Sequence, residues 1–283
     1  RQVWDNGTSM QNNIVVFGKG GIGKSTISSN LSSIYALQGL KVLHVGCDPK
    51  HDSTVGLVDG ELIETFMEKY ARIFGVRDHG ELKPSDIMVK GRLGIDCVEA
   101  GGPEPGVGCA GRGISLMLEA LQDLGVLKEG GYDARIFDVL GDVVCGGFAA
   151  PLRKGFAEKI VIVVSEELMA LYAANNIAKS VKTYSSNGVY LAGLVANLKD
   201  GKVERGRIER FAKILGTRIL EFVPRDPAVR EAEFARKNTV VERAPKSPFA
   251  KSIKSLAAKI LAIRGQDCPV PTPMDDRRFY KPW

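Results

Sequence analysis

A chain of 283 residues, 44% hydrophobic and 25% charged, can bury a full core. Its composition excludes collagen-like, low-complexity and membrane-spanning classes. The net charge is +6, but the basic residues are dispersed among acids, as in 202–210. That pattern is a solvated helix face rather than a nucleic-acid stripe, and it suits an acidic protein partner. Five cysteines are an odd number for a disulfide framework and favour metal or redox chemistry in a soluble, cytoplasmic chain.

In chain order, Arg1 to Asn12 is a polar stretch, expected as a flexible extension. Ile14 to Phe17 is an apolar run that predicts a buried parallel strand. It ends in Gly18-Lys19-Gly20-Gly21-Ile22-Gly23-Lys24-Ser25, a glycine-rich phosphate loop. Ser25 to Gln38 predicts a helix that Gly39 stops. Strand, loop and helix in that order let backbone N–H groups and the helix N-terminus cradle phosphate. Gly20, Gly21, Gly23, Lys24, Ser25 and Thr26 are therefore candidate nucleotide-binding residues. Lys24 reaches the β- and γ-phosphates, and the Ser25 hydroxyl suits Mg²⁺. Lys19 is an extra lysine. It is expected to point away from its own nucleotide, or across to one in a second subunit.

Val42 to Val45 predicts the next strand, followed by Gly46-Cys47-Asp48-Pro49-Lys50-His51-Asp52-Ser53-Thr54. Two carboxylates just past a strand end suit the positioning of water and metal-bound water near phosphate. Asp48, Lys50 and Asp52 are thus site candidates. Asp138 ends a predicted strand, Arg135 to Asp138, and is the natural Walker-B-type acid; Asp142 follows it. His44 and His79 read as structural, and His51 as an exposed neighbour without a chemical role.

Further strands are expected at Lys159–Val164, Tyr190–Val195 and Ile219–Val223. Further helices are expected at Gly113–Leu124, Leu168–Thr183, Val203–Leu215 and Ser247–Ile263. Repeated strand–helix units predict one α/β domain over 13–264, a P-loop NTPase with a mostly parallel sheet flanked by helices on both faces. Cys268 opens a Pro-rich segment, and 265–283 is expected to be an extended tail on a surface or against a partner.

Cys109 and Cys145 are flanked by glycines, which let N–H groups approach sulfur as an iron–sulfur cluster requires. Neither has a C-x-x-C partner. One chain therefore offers two thiolates, and a symmetric dimer would supply four on its axis. On spacing alone, two buried, inert cysteines are the better fit, since that is the usual state of free thiols. Cys47 and Cys97 adjoin apolar strand segments and read as core residues.

Taken together, the motifs resemble the nitrogenase iron protein family over roughly 14–263. They are 18–25, 46–54, 101–113, 138–148, 172–176 and Val223-Pro224-Arg225-Asp226. The resemblance implies a homodimer with one bridging [4Fe–4S] cluster, held by Cys109 and Cys145 of both subunits. Such a dimer hydrolyses MgATP and passes single electrons to a separate two-subunit catalytic component, taking them from a ferredoxin or flavodoxin. It makes Lys19 the lysine that acts across the dimer and Asp48 the proposed water-activating group. Asp48 and Asp52 form one switch, and Asp138 and Asp142 a second that links nucleotide to Cys145. Asn197 and the segment from Pro224 through Arg225 and Asp226 to Glu233 match the adenine pocket. Arg112 matches a docking-surface arginine that is ADP-ribosylated in some members.

The match is a mosaic. Residues 101–113 look like nitrogenase reductases, whereas 24–32, 50–54 and 146–152 look more like the dark-operative protochlorophyllide reductase ATPase. Arg230 and Glu231 also depart from the usual nitrogenase residues. This suggests a nitrogenase-like reductase serving another partner, such as a carbon–sulfur bond reductase of the methylthio-alkane type or a tetrapyrrole reductase. Dinitrogen reduction is the alternative within the family. A cluster-free partitioning ATPase and a metallochaperone-type ATPase are the alternatives outside it.

Overall fold

The structure, a computed structural model, describes residues 12–76, 82–102, 110–128, 131–141, 149–153, 155–199 and 205–283. Its elements begin with β1 (Asn12–Phe17), α1 (Lys24–Leu37), β2 (Val42–Cys47), α2 (Phe66–Val76), α3 (Pro84–Ile87), β3 (Val89–Lys90) and β4 (Asp96–Glu99). Next come α4 (Ala110–Asp123), β5 (Ala134–Val139), β6 (Lys159–Val164), α5 (Leu168–Thr183), β7 (Tyr190–Asn197) and α6 (Arg205–Ile214). The chain finishes with β8 (Ile219–Val223), α7 (Pro227–Ala235), α8 (Val240–Arg243), α9 (Pro248–Ala262) and α10 (Asp276–Phe279).

The eight strands form one sheet in the order β3-β4-β2-β5-β1-β6-β7-β8. Every pairing is parallel except the short β3–β4 edge. Parallel strands covered on both faces must be apolar throughout, and β1, β5 and β6 are accordingly buried along almost their whole length. Val15 and Phe17 join the core on one face with α2, α4 and α5, while Ile14 and Val16 join the other with α1 and α9. β1 lies between β5 and β6, so its C-terminal end opens at mid-sheet, where open α/β sheets hold their ligands.

α1 is rich in serine yet buried along one side. Its small polar side chains face partners rather than water. Asn30 donates to Thr26 O at 2.7 Å and accepts from Val241 N at 3.0 Å, and Thr239 Oγ1 donates to Ser33 Oγ at 3.0 Å. Serine and asparagine would weaken an isolated helix. Here they seat it close against the sheet and α8.

Of the expected strands and helices among the described residues, Lys159–Val164, Leu168–Thr183 and Ile219–Val223 appear with the expected bounds, and the others with ends shifted by at most three residues. β4 was not expected, because Asp96 and Glu99 break the apolar run; all four of its residues are nonetheless buried. α7 carried a readable start, Asp226 before Pro227, since Asp caps and Pro suits the first helical position. Asn12, at the edge of the expected extension, is already in β1 and pairs with Ala134. Beyond α9 the chain runs extended from Cys268 and then turns into α10. Asn175 of α5 clamps this segment by giving and taking 2.8 Å hydrogen bonds with the Met274 backbone. Phe279 is buried against Tyr172 and Phe211, and Trp283 closes the cluster.

Candidate functional site

The loop 18–25 joins β1 to α1. Gly23, the residue before α1, sits at φ 95°, a left-handed conformation that glycine adopts without a steric cost. A side chain there would also strike Asn197, whose Nδ2 lies 2.5 Å from where a Cβ would stand. Asn197 ends β7 and donates to Ile22 O at 2.8 Å, bracing the loop from two strands away. α1 has no side-chain cap and no acid in its first turn. Its leading N–H groups thus face the loop with the positive end of the helix dipole behind them, an arrangement that fits phosphate. Lys24 is buried and arches over the loop, its Nζ donating to Lys19 O at 3.2 Å.

Lys19 itself turns aside. Its Nζ lies 3.8 Å from Glu167 Oε2, and Glu167 also pairs with Lys199 at 2.9 Å. The hydrogen bond from Lys199 is the main reason that the Glu167 carboxyl sits below the usual carboxylate range. The extra lysine thus turns toward Glu167, the residue before α5.

Asp138 is the penultimate residue of β5, beside Val16 of β1 and Gly46 of β2, and is almost fully buried. Ser28 Oγ donates to its Oδ1 at 3.3 Å and Ser53 Oγ to its Oδ2 at 2.6 Å. Burial pushes its carboxyl up, while Ser25, Ser53 and the Lys24 charge pull the other way. Asp138 therefore stands with the Mg²⁺-type serine on one side and the 46–54 segment on the other. In that segment Asp48 Oδ1 accepts from Lys50 N at 2.9 Å, which closes an Asx turn. Lys50 and Asp52 are exposed at the rim.

A cleft of about 460 Å³ joins Ser25, Thr26, Asp52, Ser53 and Glu233. Thr26 Oγ1 donates to Glu233 Oε1 at 3.1 Å, so α7 touches the start of α1. The other residues expected in the adenine segment hold backbone. Arg225 donates to Lys199 O at 3.0 Å. Asp226 caps α7 through Ala228 N at 3.0 Å and fixes the start of α9 through Phe249 N at 2.9 Å.

Sequence reasoning did not single out Glu99. Its side chain is wholly buried at the end of β4, against the bare Cα of Gly46, and its Oε1 accepts from Thr54 N at 2.8 Å. Its Oε2 has no hydrogen-bond partner among the described residues. Burial pushes this carboxyl up to about 8; the Asp138 and Asp52 charges add to the rise, and hydrogen bonding to Thr54 opposes it. The folded state then binds a proton more tightly than the unfolded chain, so this group's stabilisation falls as pH rises from about 4.5 to about 8. Replacing Glu99 with Gln should flatten that part of a melting-temperature profile. Relative to the difference between the two proteins below pH 4.5, the change in favour of Gln should approach roughly 5 kcal/mol above pH 8, by the conversion of about 1.4 kcal/mol per pKa unit. Parallel profiles for the two proteins would refute it.

Cys109, Cys145 and Asp142 lie outside the described residues. α4 begins at Ala110, one residue after Cys109, and carries the exposed Arg112 in its first turn. The last described residue before Asp142 is Gly141, where a Cβ would fall 2.4 Å from Gly18 O and 2.5 Å from Gly20 N. On the other side, Gly102 lies against Pro49, with a Cβ there meeting Pro49 Cβ at 2.9 Å. The described residues that precede the two cysteines, Gly102 and Gly141, are therefore each in close contact with the nucleotide elements. The described cysteines do not suit a cluster. Cys47 and Cys97 are buried in strands, and burial pushes Cys47 well up and Cys97 up to about 12. Among the described residues, no set of three or more His, Cys, Asp or Glu side chains converges on a metal site.

Solved structures with this fold include the MinD septum site-determining protein of Pyrococcus horikoshii, complexed with Mg-ADP. It is 20% identical, with TM-score 0.61, and covers 89% of this chain and 96% of that one. A ParA family ATPase from Chlorobium tepidum has TM-score 0.66 at 18% identity, covering 89% and 99%. At such identities the likeness is one of fold. Closer in sequence are the nitrogenase iron protein of Methanospirillum hungatei and nitrogenase iron protein 2 of Paenibacillus durus. Each is 44% identical, over 95% and 94% of this chain and 93% and 89% of their own lengths. Residues 12–281 match the 4Fe-4S iron sulfur cluster binding proteins of the NifH/frxC family. With both the match and the phosphate-loop geometry spanning the same fold, the chain belongs to the nitrogenase iron protein family, whose cofactors are a [4Fe–4S] cluster and MgATP.

Proposed function

We propose that this protein is the ATP-dependent reductase component of a nitrogenase-like enzyme. It works as a homodimer that couples MgATP hydrolysis to single-electron transfer into a separate two-subunit catalytic component. The observation that carries this reading is the pair of contacts just described. Gly102 against Pro49 and Gly141 against Gly18 and Gly20 put the roots of the Cys109 and Cys145 segments directly on the nucleotide elements. A change in the phosphates is thereby felt at the residues leading to both thiolates.

In this reading Lys24 and the N–H groups of Gly20, Gly21, Gly23 and α1 hold the β- and γ-phosphates. Ser25 ligates Mg²⁺. Asp138 sits behind it and takes the hydroxyl protons of Ser28 and Ser53 as hydrogen bonds. Asp48 orients the attacking water, and hydrolysis moves the γ-phosphoryl group from the β-phosphate oxygen to that water. Lys50 and Asp52 line the rim, while Asn197, Arg225, Asp226 and Glu233 frame the adenine side. Lys19 leaves Glu167 when a second subunit brings its nucleotide within reach. Cys109 and Cys145 of two subunits hold the bridging cluster, which supplies one-electron chemistry. Arg112, exposed at the start of α4, belongs to the docking face.

The mosaic of motifs and the basic net charge support a catalytic partner other than the dinitrogen-reducing component, either a carbon–sulfur bond reductase of the methylthio-alkane type or a tetrapyrrole reductase. Anaerobically purified protein should carry about four irons per two chains. Cys109→Ser and Cys145→Ser should each lose the iron while keeping MgATP affinity. An iron-free, colourless parent protein would reduce the reading to a cluster-free ATPase. Affinity capture from the native cell tests the partner, and recovery of a dinitrogen-reducing component would overturn that assignment.

A further inference from the structure

We propose that His44 is a positioning residue for nucleotide turnover, a neutral imidazole that orients Ser53 and, through Ser53, Asp138. This rests on the ATP-hydrolysing function proposed above. His44 is in the middle of β2 and has no solvent exposure. Its Nδ1 lies 2.8 Å from Ser32 Oγ of α1, and its Nε2 lies 2.9 Å from Ser53 Oγ. Ser53 Oγ in turn is 2.6 Å from Asp138 Oδ2. The hydrogens in this chain have one consistent arrangement. A carboxylate only accepts, so the single Ser53 hydroxyl hydrogen goes to Asp138. The Ser53 oxygen must then accept from Nε2–H. Nδ1 carries no hydrogen in that tautomer and accepts from Ser32 O–H. Burial pulls the imidazole down to about 3, which keeps it in this uncharged form.

The consequence is preorganisation. A serine hydroxyl rotates freely unless its lone pairs are engaged. The imidazole engages one, and so aims the Ser53 hydrogen at the acid behind Ser25. No water can replace it, because the ring is sealed between α1 and the sheet. Supporting hydrogen bonds of this kind around phosphate and metal sites are worth roughly 10- to 100-fold in function.

Three measurements on the full-length protein test the assignment. ¹⁵N-histidine spectra should show one buried ring, Nε2-protonated and unchanged between about pH 5.5 and 8; a titrating or Nδ1-protonated ring overturns it. The Nε2 signal should move when MgADP binds and be displaced in Ser53→Ala; silence in both overturns it. His44→Phe should slow phosphate release roughly 10- to 100-fold with MgATP Kd held within about twofold. His44→Gln, whose amide spans the same two serines as donor and acceptor, should recover most of the rate. Turnover by His44→Phe equal to the parent, or a Gln variant that folds but fares no better than Phe, overturns the role. A parent protein that releases no phosphate would instead sink the proposed hydrolysis, and the imidazole signals would still decide the relay.

Discussion

Replacing Lys24 with glutamine is expected to cut ATP hydrolysis about a thousandfold while the fold stays intact. Lys24 is the buried cation of the phosphate loop, and it spans the loop to reach Lys19 O at 3.2 Å. Glutamine is shorter and carries no charge. It loses the charge-assisted hydrogen bonds to the bridging oxygen region, where negative charge builds up during phosphoryl transfer. Removing one such preorganised donor typically costs about 10²–10³ in rate, and losing the charge with it puts Lys24 at the top of that range. The melting temperature should move by only a few degrees, because the side chain packs no large apolar group. Phosphate release and MgATP calorimetry on the same preparations check this. Hydrolysis within about threefold of the parent would remove Lys24 from the site.

The second large effect is expected at Gly102, where Gly102→Val should separate hydrolysis from electron delivery. Gly102 is two residues beyond the 98–100 stretch that is sealed in the core, and it rests on Pro49 of the nucleotide segment. Even a methyl group there would stand 2.9 Å from Pro49 Cβ and 3.5 Å from Pro49 Cα, so one of the two segments must shift. A proline ring has no flexible end that can swing away. The isopropyl group of valine enlarges the intrusion, and overpacking of this kind costs about 1–3 kcal/mol. The loop 18–25 lies elsewhere, so MgATP affinity should stay within about threefold. Electrons passed to the partner per ATP hydrolysed should drop at least tenfold. An unchanged ratio would mean that Pro49 and Gly102 touch without transmitting anything.

The sequence was most legible where function is local. The phosphate loop, its strand and its helix occupy 12–37, and the pattern that makes them recognisable lies within that window. The acids at 48, 52 and 138 were recognisable because each follows an apolar run, the position at which parallel sheets expose their ends. What escaped was chemistry assembled across the sheet. His44 read as a structural histidine because its own neighbours are apolar. Its partners are Ser32 and Ser53, 12 and 9 residues away, and the acid it serves lies 85 residues beyond Ser53. Glu99 escaped for the same reason, since its contact with Thr54 crosses 45 residues. Asp226, which the resemblance matched to the adenine pocket, uses both of its oxygens on backbone N–H groups of α7 and α9, a role that spans 23 residues and that the sequence did not display.

The turn that follows β2 carries one further consequence. His51 has φ 44°, a left-handed backbone in a residue with a side chain, and its N–H is tied to Asp48 O at 3.0 Å. Such a conformation costs on the order of 1 kcal/mol and persists only while its surroundings enforce it. The stretch from Asp48 to Asp52 therefore behaves as a cocked spring, pinned downstream at Ser53 and Thr54. Relief of that strain is a matter of one backbone rotation at His51, not of unfolding the loop.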